Sequence, residues 1–162
     1  MKNRVLILGI LLVISATLGC TSNAHQEKQS GDSINFQMPE EWKLHPMPGD
    51  GTVIWKGDDP RIRVIEIKDK RKYDSKYKHA LNIDNTTYII KTKNETIDGV
   101  NVEIFMTTDG KYGDIQDEYF FIKNNKYYYI MAWAYPGWNS SKQNSYRQEI
   151  SEAVDTIVKT IT

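Results

Sequence analysis

The clearest pattern of apolar and polar positions lies in the last third of the chain. Two apolar stretches, residues 117–123 and 126–135, flank Asn124-Asn125. In the second, Tyr127, Tyr129, Met131, Trp133 and Tyr135 alternate with Tyr128, Ile130, Ala132 and Ala134. A period of two predicts a strand. Apolar side chains on both of its faces predict a central place in a sheet, with a helix over at least one side. In the first stretch Tyr119 and Phe121 share one face, and Phe120 and Ile122 the other. Pro136-Gly137 ends the hairpin. From about Ser141 or Ser145 a helix is predicted to the C-terminus, because Ile150, Val154, Ile157, Val158 and Ile161, with Ala153 beside them, form an apolar stripe. Ser145 and Gln148 have the spacing of a capping box.

Upstream the pattern is weaker but still readable. Ile34 to Met38 alternates apolar and polar and predicts a strand that Pro39 ends. Residues 43–51, rich in Pro and Gly, predict a loop. Residues 52–56 and 61–67 predict two strands around the turn Gly57 to Pro60. In the second of these Arg63 falls in phase with Ile65 and Ile67, so the alternation is not clean. Lys68 to Lys72 is a basic break, and Tyr73, Tyr77 and Leu81 predict a helix from Asp74 to about Asn82, capped by Asp74 or Ser75. Residues 83–85 connect it to an extended stretch, 86–97. Asp98-Gly99 is a hairpin signal, since both central residues of a type I′ turn need positive φ. Val100, Val102, Ile104 and Met106 line the returning strand, and a loop follows over residues 109–116. The expected fold class is α+β: an antiparallel β-sheet of about six or seven strands covered by two helices.

The N-terminus follows a different rule. Lys2 and Arg4 precede an uncharged apolar run from Val5 to Ile14. That run suits a signal peptide and is too short for a membrane span of roughly 20 residues. Leu18-Gly19-Cys20 follows, and Cys20 is the only cysteine. The stretch resembles the lipobox of prokaryotic lipoproteins, with Thr17 where leucine is usual and Leu18 where a small residue is usual. The resemblance implies that residues 1–19 are a signal peptide and that Cys20 carries a lipid. The other reading is a plain secretory signal cleaved near Ala16 or Gly19. Residues 20–33 then form the lipidated cysteine and a polar linker, and residues 34–162 the folded domain.

Composition narrows the options. A part of about 140 residues beyond the signal suffices for one domain with its own core. The formal charge of the whole chain is zero, and it turns slightly acidic without Lys2 and Arg4. Nothing basic therefore points to nucleic acid. With no cysteine after position 20, neither a disulfide framework nor a thiolate metal site is available to the domain.

A family resemblance also runs through the domain. It rests on Met38-Pro39-Glu40-Glu41-Trp42 after the first strand, Thr96-Ile97-Asp98-Gly99-Val100 at a hairpin, the paired strands Glu118 to Phe121 and Tyr127 to Ile130, and Val154 to Val158 in the closing helix. Over residues 34–162 this looks like the PsbP-like lipoproteins, relatives in fold of the extrinsic PsbP protein of photosystem II. The resemblance implies an antiparallel sheet between helices and a non-catalytic binding or accessory role. No functional residue is carried over from it.

Candidate chemistry is sparse. His25, His45 and His79 lack ligand spacing, and no metal or cofactor is expected. Asp109, Asp114, Asp117 and Glu118 gather in one loop without the spacing of a calcium-binding loop. No Gly-x-Ser-x-Gly elbow is present, and no catalytic residue is assigned. Asn85, Asn94 and Asn139 each start an N-x-Ser/Thr triplet. Among the aromatics, Trp138, Trp42 and Tyr135 are the candidates for ligand contact, while Trp133 and Tyr129 suit the core. The expected function is that of a lipid-anchored protein on the outer face of the cell membrane, with a non-catalytic domain that binds an envelope protein or small ligand. A cell-envelope hydrolase or carbohydrate-acting enzyme is the alternative.

Overall fold

The computed structural model describes residues 34–81 and 87–162. The predicted signal peptide, Cys20, the linker with His25, and the 83–85 connection with Asn85 lie outside the described residues. The elements in chain order are β1 (Lys43–Leu44), β2 (Thr52–Trp55), β3 (Arg61–Ile67), α1 (Lys70–Leu81), β4 (Thr87–Ile97), β5 (Val100–Asp109), β6 (Ile115–Lys123), β7 (Lys126–Ala134) and α2 (Ser140–Thr160). One antiparallel sheet of seven strands runs in the order β1-β2-β3-β7-β6-β5-β4, which makes the fold α+β. Among the described residues no helix is long and apolar enough to cross a membrane.

The middle strand is β7, as its two apolar faces require. Tyr128, Ile130, Ala132 and Ala134 face α2, whose Ile150, Ala153, Val154, Ile157 and Val158 are buried against them in the larger core cluster. Tyr127, Tyr129 and Met131 face α1. There Tyr77 meets Phe105 and Phe120 edge to face, at 5.6 and 5.4 Å between ring centres, and Tyr73 meets Phe120 at 5.7 Å. Such pairs stabilise by about 1 kcal/mol beyond the area they bury. Both predicted asparagine and Asp-Gly turns have their central residues at positive φ: Asp98 50°, Gly99 77°, Asn124 52° and Asn125 61°.

Three boundaries and the cap of α2 differ from the sequence expectation, while α2 itself begins next to the expected Ser141. Ile34 to Met38 is not a strand. Its alternate apolar side chains pack on the α2-side core. Its backbone pairs with the end of α2 instead, through Gln37 N to Thr160 Oγ1 (2.9 Å) and Thr162 N to Asn35 O (3.1 Å). The edge strand comes from Lys43–Leu44, in what the sequence presented as a loop. Helix α1 starts at Lys70, because Asp69 Oδ1 accepts the Arg71 amide at 2.8 Å and caps the basic run. Helix α2 starts at Ser140, capped by Asn139 Oδ1 on Lys142 N at 3.0 Å. Ser145 lies inside that helix and bonds to Glu149.

A buried ion pair fixes α2 to the sheet. Arg147 Nε donates to Asp117 Oδ2 at 3.2 Å, and its Nη2 donates to Thr107 O at 2.7 Å and Thr108 Oγ1 at 3.1 Å. Asp117 Oδ1 also accepts the Thr107 amide at 3.0 Å. Burial pushes the Asp117 carboxyl above its usual range, against the pull of Arg147 and the Thr107 amide. Removing one partner strands the other charge, which costs about 3–5 kcal/mol in such sites. Arg147→Ala is therefore expected to lower the unfolding free energy by about 3 kcal/mol. Urea denaturation checks this, with Lys159→Ala, whose partner Asp155 is exposed, expected to change little.

Candidate binding surface

Helix α1 covers only part of its side of the sheet. Beyond it, cross-strand register places Trp55, Arg61, Trp133 and Gln116 in one row across β2, β3, β7 and β6. The next row, Val53, Arg63, Met131 and Glu118, runs in under the edge of α1, where Lys76 and His79 act on Glu118. Their sequence neighbours Ile54, Ile62 and Ala132 point the other way, into the α2-side core. Trp55, Arg61, Arg63 and Trp133 are all half-buried.

Both arginines are poorly satisfied. Arg61 Nη2 donates to Asp58 O at 3.4 Å, and its guanidinium lies 5.7 Å from the centre of the Tyr135 ring. Arg63 Nη2 donates to Pro48 O at 3.3 Å. The Nε of each is buried without a hydrogen-bond partner. Among the described residues neither guanidinium forms an ion pair. The acids nearby are engaged in part, and Asp59 Oδ1 is buried without a hydrogen-bond partner. Asp59 Oδ2 accepts the Tyr135 amide at 2.7 Å, and Glu118 is bonded by Tyr129 and by Gln116 Nε2 at 3.4 Å. Burial raises both carboxyls above their usual range.

The β1–β2 loop forms a wall beside these rows. His45 stacks on Trp55 with ring centres 4.2 Å apart, and its amide bonds to Val53 O at 2.8 Å. A groove of about 320 Å³ is lined by His45, Pro46, Met47, Pro48, Gly51 and Val53. Gly51 has a φ of 88°, and a Cβ there would stand 2.2 Å from Val64 O, so glycine lets the loop lie against β3.

The rows lead to one end of the sheet, where the β5–β6 and β7–α2 loops meet. Tyr112, Tyr135 and Trp138 are 56, 56 and 66 % exposed there. Gln143 Nε2 donates to Gly113 O and Gly137 O, both at 2.9 Å, and so ties the two loops together. Asp109 Oδ1 accepts the amides of Lys111 and Tyr112, each at 2.7 Å. A Cβ on Gly113 would stand 2.8 Å from the Trp138 ring, so that ring lies directly on the glycine.

Two of the three predicted contact residues, Tyr135 and Trp138, come to this end. Trp42 does not: it is 6 % exposed and packs in the α2-side core, turned inward by the Pro39 to Trp42 turn. Of the four loop acids, Asp109 and Asp114 stay together, the Asp109 amide donating to Asp114 O at 2.8 Å, while the others separate. Asp117 faces Arg147, Glu118 lies on the opposite face, and Asp109 holds its own turn. Among the described residues no group of three or more His, Cys, Asp or Glu is placed to hold a metal. Arg61 and Arg63 were not singled out as contact residues from the sequence, although the misphased Arg63 was the visible sign.

The raised Glu118 carboxyl has a defined consequence. Its folded form binds a proton more readily than the unfolded chain does, so its contribution to stability is present at acid pH. That contribution is lost as pH rises from the ordinary carboxylate range through the raised folded value. Asp59 and Asp117 act in the same sense. Unfolding free energy is expected to fall with rising pH across that window. In Glu118→Gln the fall should be shallower, as read by urea denaturation at a series of pH values.

The chain matches no protein-family model and no curated protein, so what this surface does is read from its own residues.

Proposed function

We propose that the protein is a lipid-anchored, extracytoplasmic binding protein, related to the PsbP-like lipoproteins, that acts by contact rather than by catalysis. The observation that carries the reading is the run of side chains from Trp55, Arg61 and Trp133 to the exposed Tyr135 and Trp138. These aromatic side chains offer broad apolar faces with a polar tip, which suits recognition. Cross-strand register and the Gln143 tie hold them in place, so little conformational freedom is lost when a partner docks. An antiparallel sheet with a helix on each face is also what the PsbP-like resemblance implies, and it supports that kinship.

The anchor is the second part of the proposal. Cys20, behind a short apolar run and ahead of a polar linker, would hold the domain at the outer face of the membrane. Stable attachment takes more than one acyl chain, at about 0.8 kcal/mol per buried CH₂.

Two measurements test this. Cys20→Ser is expected to abolish incorporation of labelled fatty acid and to move the protein out of the membrane fraction or leave an uncleaved precursor. Unchanged labelling and fractionation would overturn the anchor. The pair Tyr135→Ala and Trp138→Ala is expected to lose the envelope component that the intact lipoprotein retains on affinity capture. Its melting temperature should barely move, because both rings are exposed. Retention of the same component by the double variant would remove this surface from the interaction. Turnover of an envelope glycan by the purified protein would replace the binding reading with the hydrolase one.

A further inference from the structure

We propose that the open face between Trp55 and Trp133 binds a small ring molecule carrying an oxyanion, with Arg61 and Arg63 on the anion and the aromatic side chains on the ring. The proposal rests on the binding reading above and names the ligand class for it.

The argument starts from the two guanidinium groups. Each offers five N–H donors in a planar fork. Each has one carbonyl contact in the structure, at 3.4 Å for Arg61 and 3.3 Å for Arg63, near the limit for a hydrogen bond. The Nε atoms are buried with no partner. An incoming anion would therefore meet the Nη groups, which are not among the buried open atoms.

Charge points the same way. Arg61 and Arg63 lie on one face of β3, with Cα atoms roughly 7 Å apart. Two positive groups at that distance repel each other. Arg61 feels the Asp59 carboxylate without forming an ion pair with it, and Glu118 is bonded by Tyr129 and Gln116. In this structure Arg61 leans toward Tyr135, and Arg63 toward Pro48. Both contacts are long, so either head swings onto an incoming anion without losing a strong bond. Guanidinium forks match the two oxygens of a carboxylate or phosphate.

The flanks supply the rest of the ligand. Trp55 and Trp133 are the cross-strand neighbours of Arg61, and His45 holds the Trp55 ring at 4.2 Å. Tyr135 closes the row on the loop side. The adjoining groove, about 320 Å³, is at the small end of the range for ligand sites. The flat faces of Trp55, Trp133 and Tyr135 suit a single ring. An acidic sugar and an aromatic acid share this chemistry, a flat or cyclic body with one oxyanion.

Titration of the full chain in detergent, followed by tryptophan fluorescence, tests the proposal with four probes: glucuronate, benzoate, glucose and inorganic phosphate. Saturable change is expected with glucuronate or benzoate, and whichever binds identifies the ring. Glucose, which lacks the charge, and phosphate, which lacks the ring, are expected to bind about tenfold more weakly or not at all. Arg61→Gln with Arg63→Gln should weaken the ring anion by about tenfold or more. Arg61→Lys with Arg63→Lys, which keeps the charge and loses the fork, should fall between. Neither pair should lower the melting temperature, since no ion pair is broken, and this separates lost binding from lost folding. Glucose binding as tightly as glucuronate, no saturation with either ring anion, or wild-type affinity in the glutamine pair would each overturn the proposal. If the ring anions fail while the Tyr135 and Trp138 variants still lose their envelope component, only the ligand class falls. If those variants also retain that component, the binding reading falls with it.

Discussion

Strand β7 carries apolar side chains on both faces, and neither face can be left to water. One face holds Tyr128, Ile130, Ala132 and Ala134, which are fully buried beneath α2. The other holds Tyr127, Tyr129 and Met131, which need a cover of their own. A strand of this kind at the edge would expose a row of unpaired backbone groups as well. Placing it fourth of seven gives its backbone two partners and its side chains two layers. The hairpin through Asn124-Asn125 puts β6 on one side. The long return from the N-terminal half puts β3 on the other, with Arg61 opposite Trp133 and Ile67 opposite Tyr127.

The two layers are unequal, and the inequality makes the site. Helix α2, with 21 residues, is about 32 Å long, whereas α1, with 12, is about 18 Å. Strand β6, with nine residues, is about 30 Å long. The long helix runs the length of β6, from Gln143 at Gly113 to Val158 and Lys159 at Lys123, and is fixed there by the Arg147–Asp117 pair. The short one covers Phe105, Phe120, Tyr129 and Ile67 and then stops. What lies beyond it on the same face changes character, from Ile65 and Ile67 to Arg61 and Arg63, and from Tyr127 and Tyr129 to the half-exposed Trp133. Side-chain type thus follows the edge of the cover within single strands.

Local signals in the sequence were enough for the parts of the fold that are local. The α2 stripe, the Asp98-Gly99 and Asn124-Asn125 turns and the two-faced β7 all follow from residues within a few positions of one another. The alternation of Ile34 to Met38 was also legible, but its partners were not. Its amides and carbonyls meet Thr160 and Thr162, more than a hundred positions away. The same limit applies to the site. Tyr135 and Trp138 stood out because Pro136 and Gly137 mark a loop around them. Trp42 stood out for the same reason, yet its turn folds it inward. The row Trp55, Arg61, Trp133 depends on the β3–β7 pairing, and nothing near residue 61 announces residue 133.

Arg63 was the one local clue, because it breaks the apolar phase of its own strand. A mismatch of this kind has two physical outcomes. The side chain can lie along the sheet with its stem on apolar neighbours and its head in water. Alternatively, the strand can present the charge to something that is not part of the chain. The stems of Arg61 and Arg63 do lie in a sheet face between apolar or aromatic neighbours, as the first outcome requires. Their heads nevertheless hold only long carbonyl contacts, and among the described residues no ion pair closes them. A solvated pair would have drifted toward water or toward Glu118 and Asp59, both within the same neighbourhood of the fold. Those two carboxylates are instead bonded to Tyr129, Gln116 and the Tyr135 backbone. Among the described residues neither guanidinium is closed by an ion pair, and their flanks are aromatic, which favours a surface prepared for an anion over one that is merely charged.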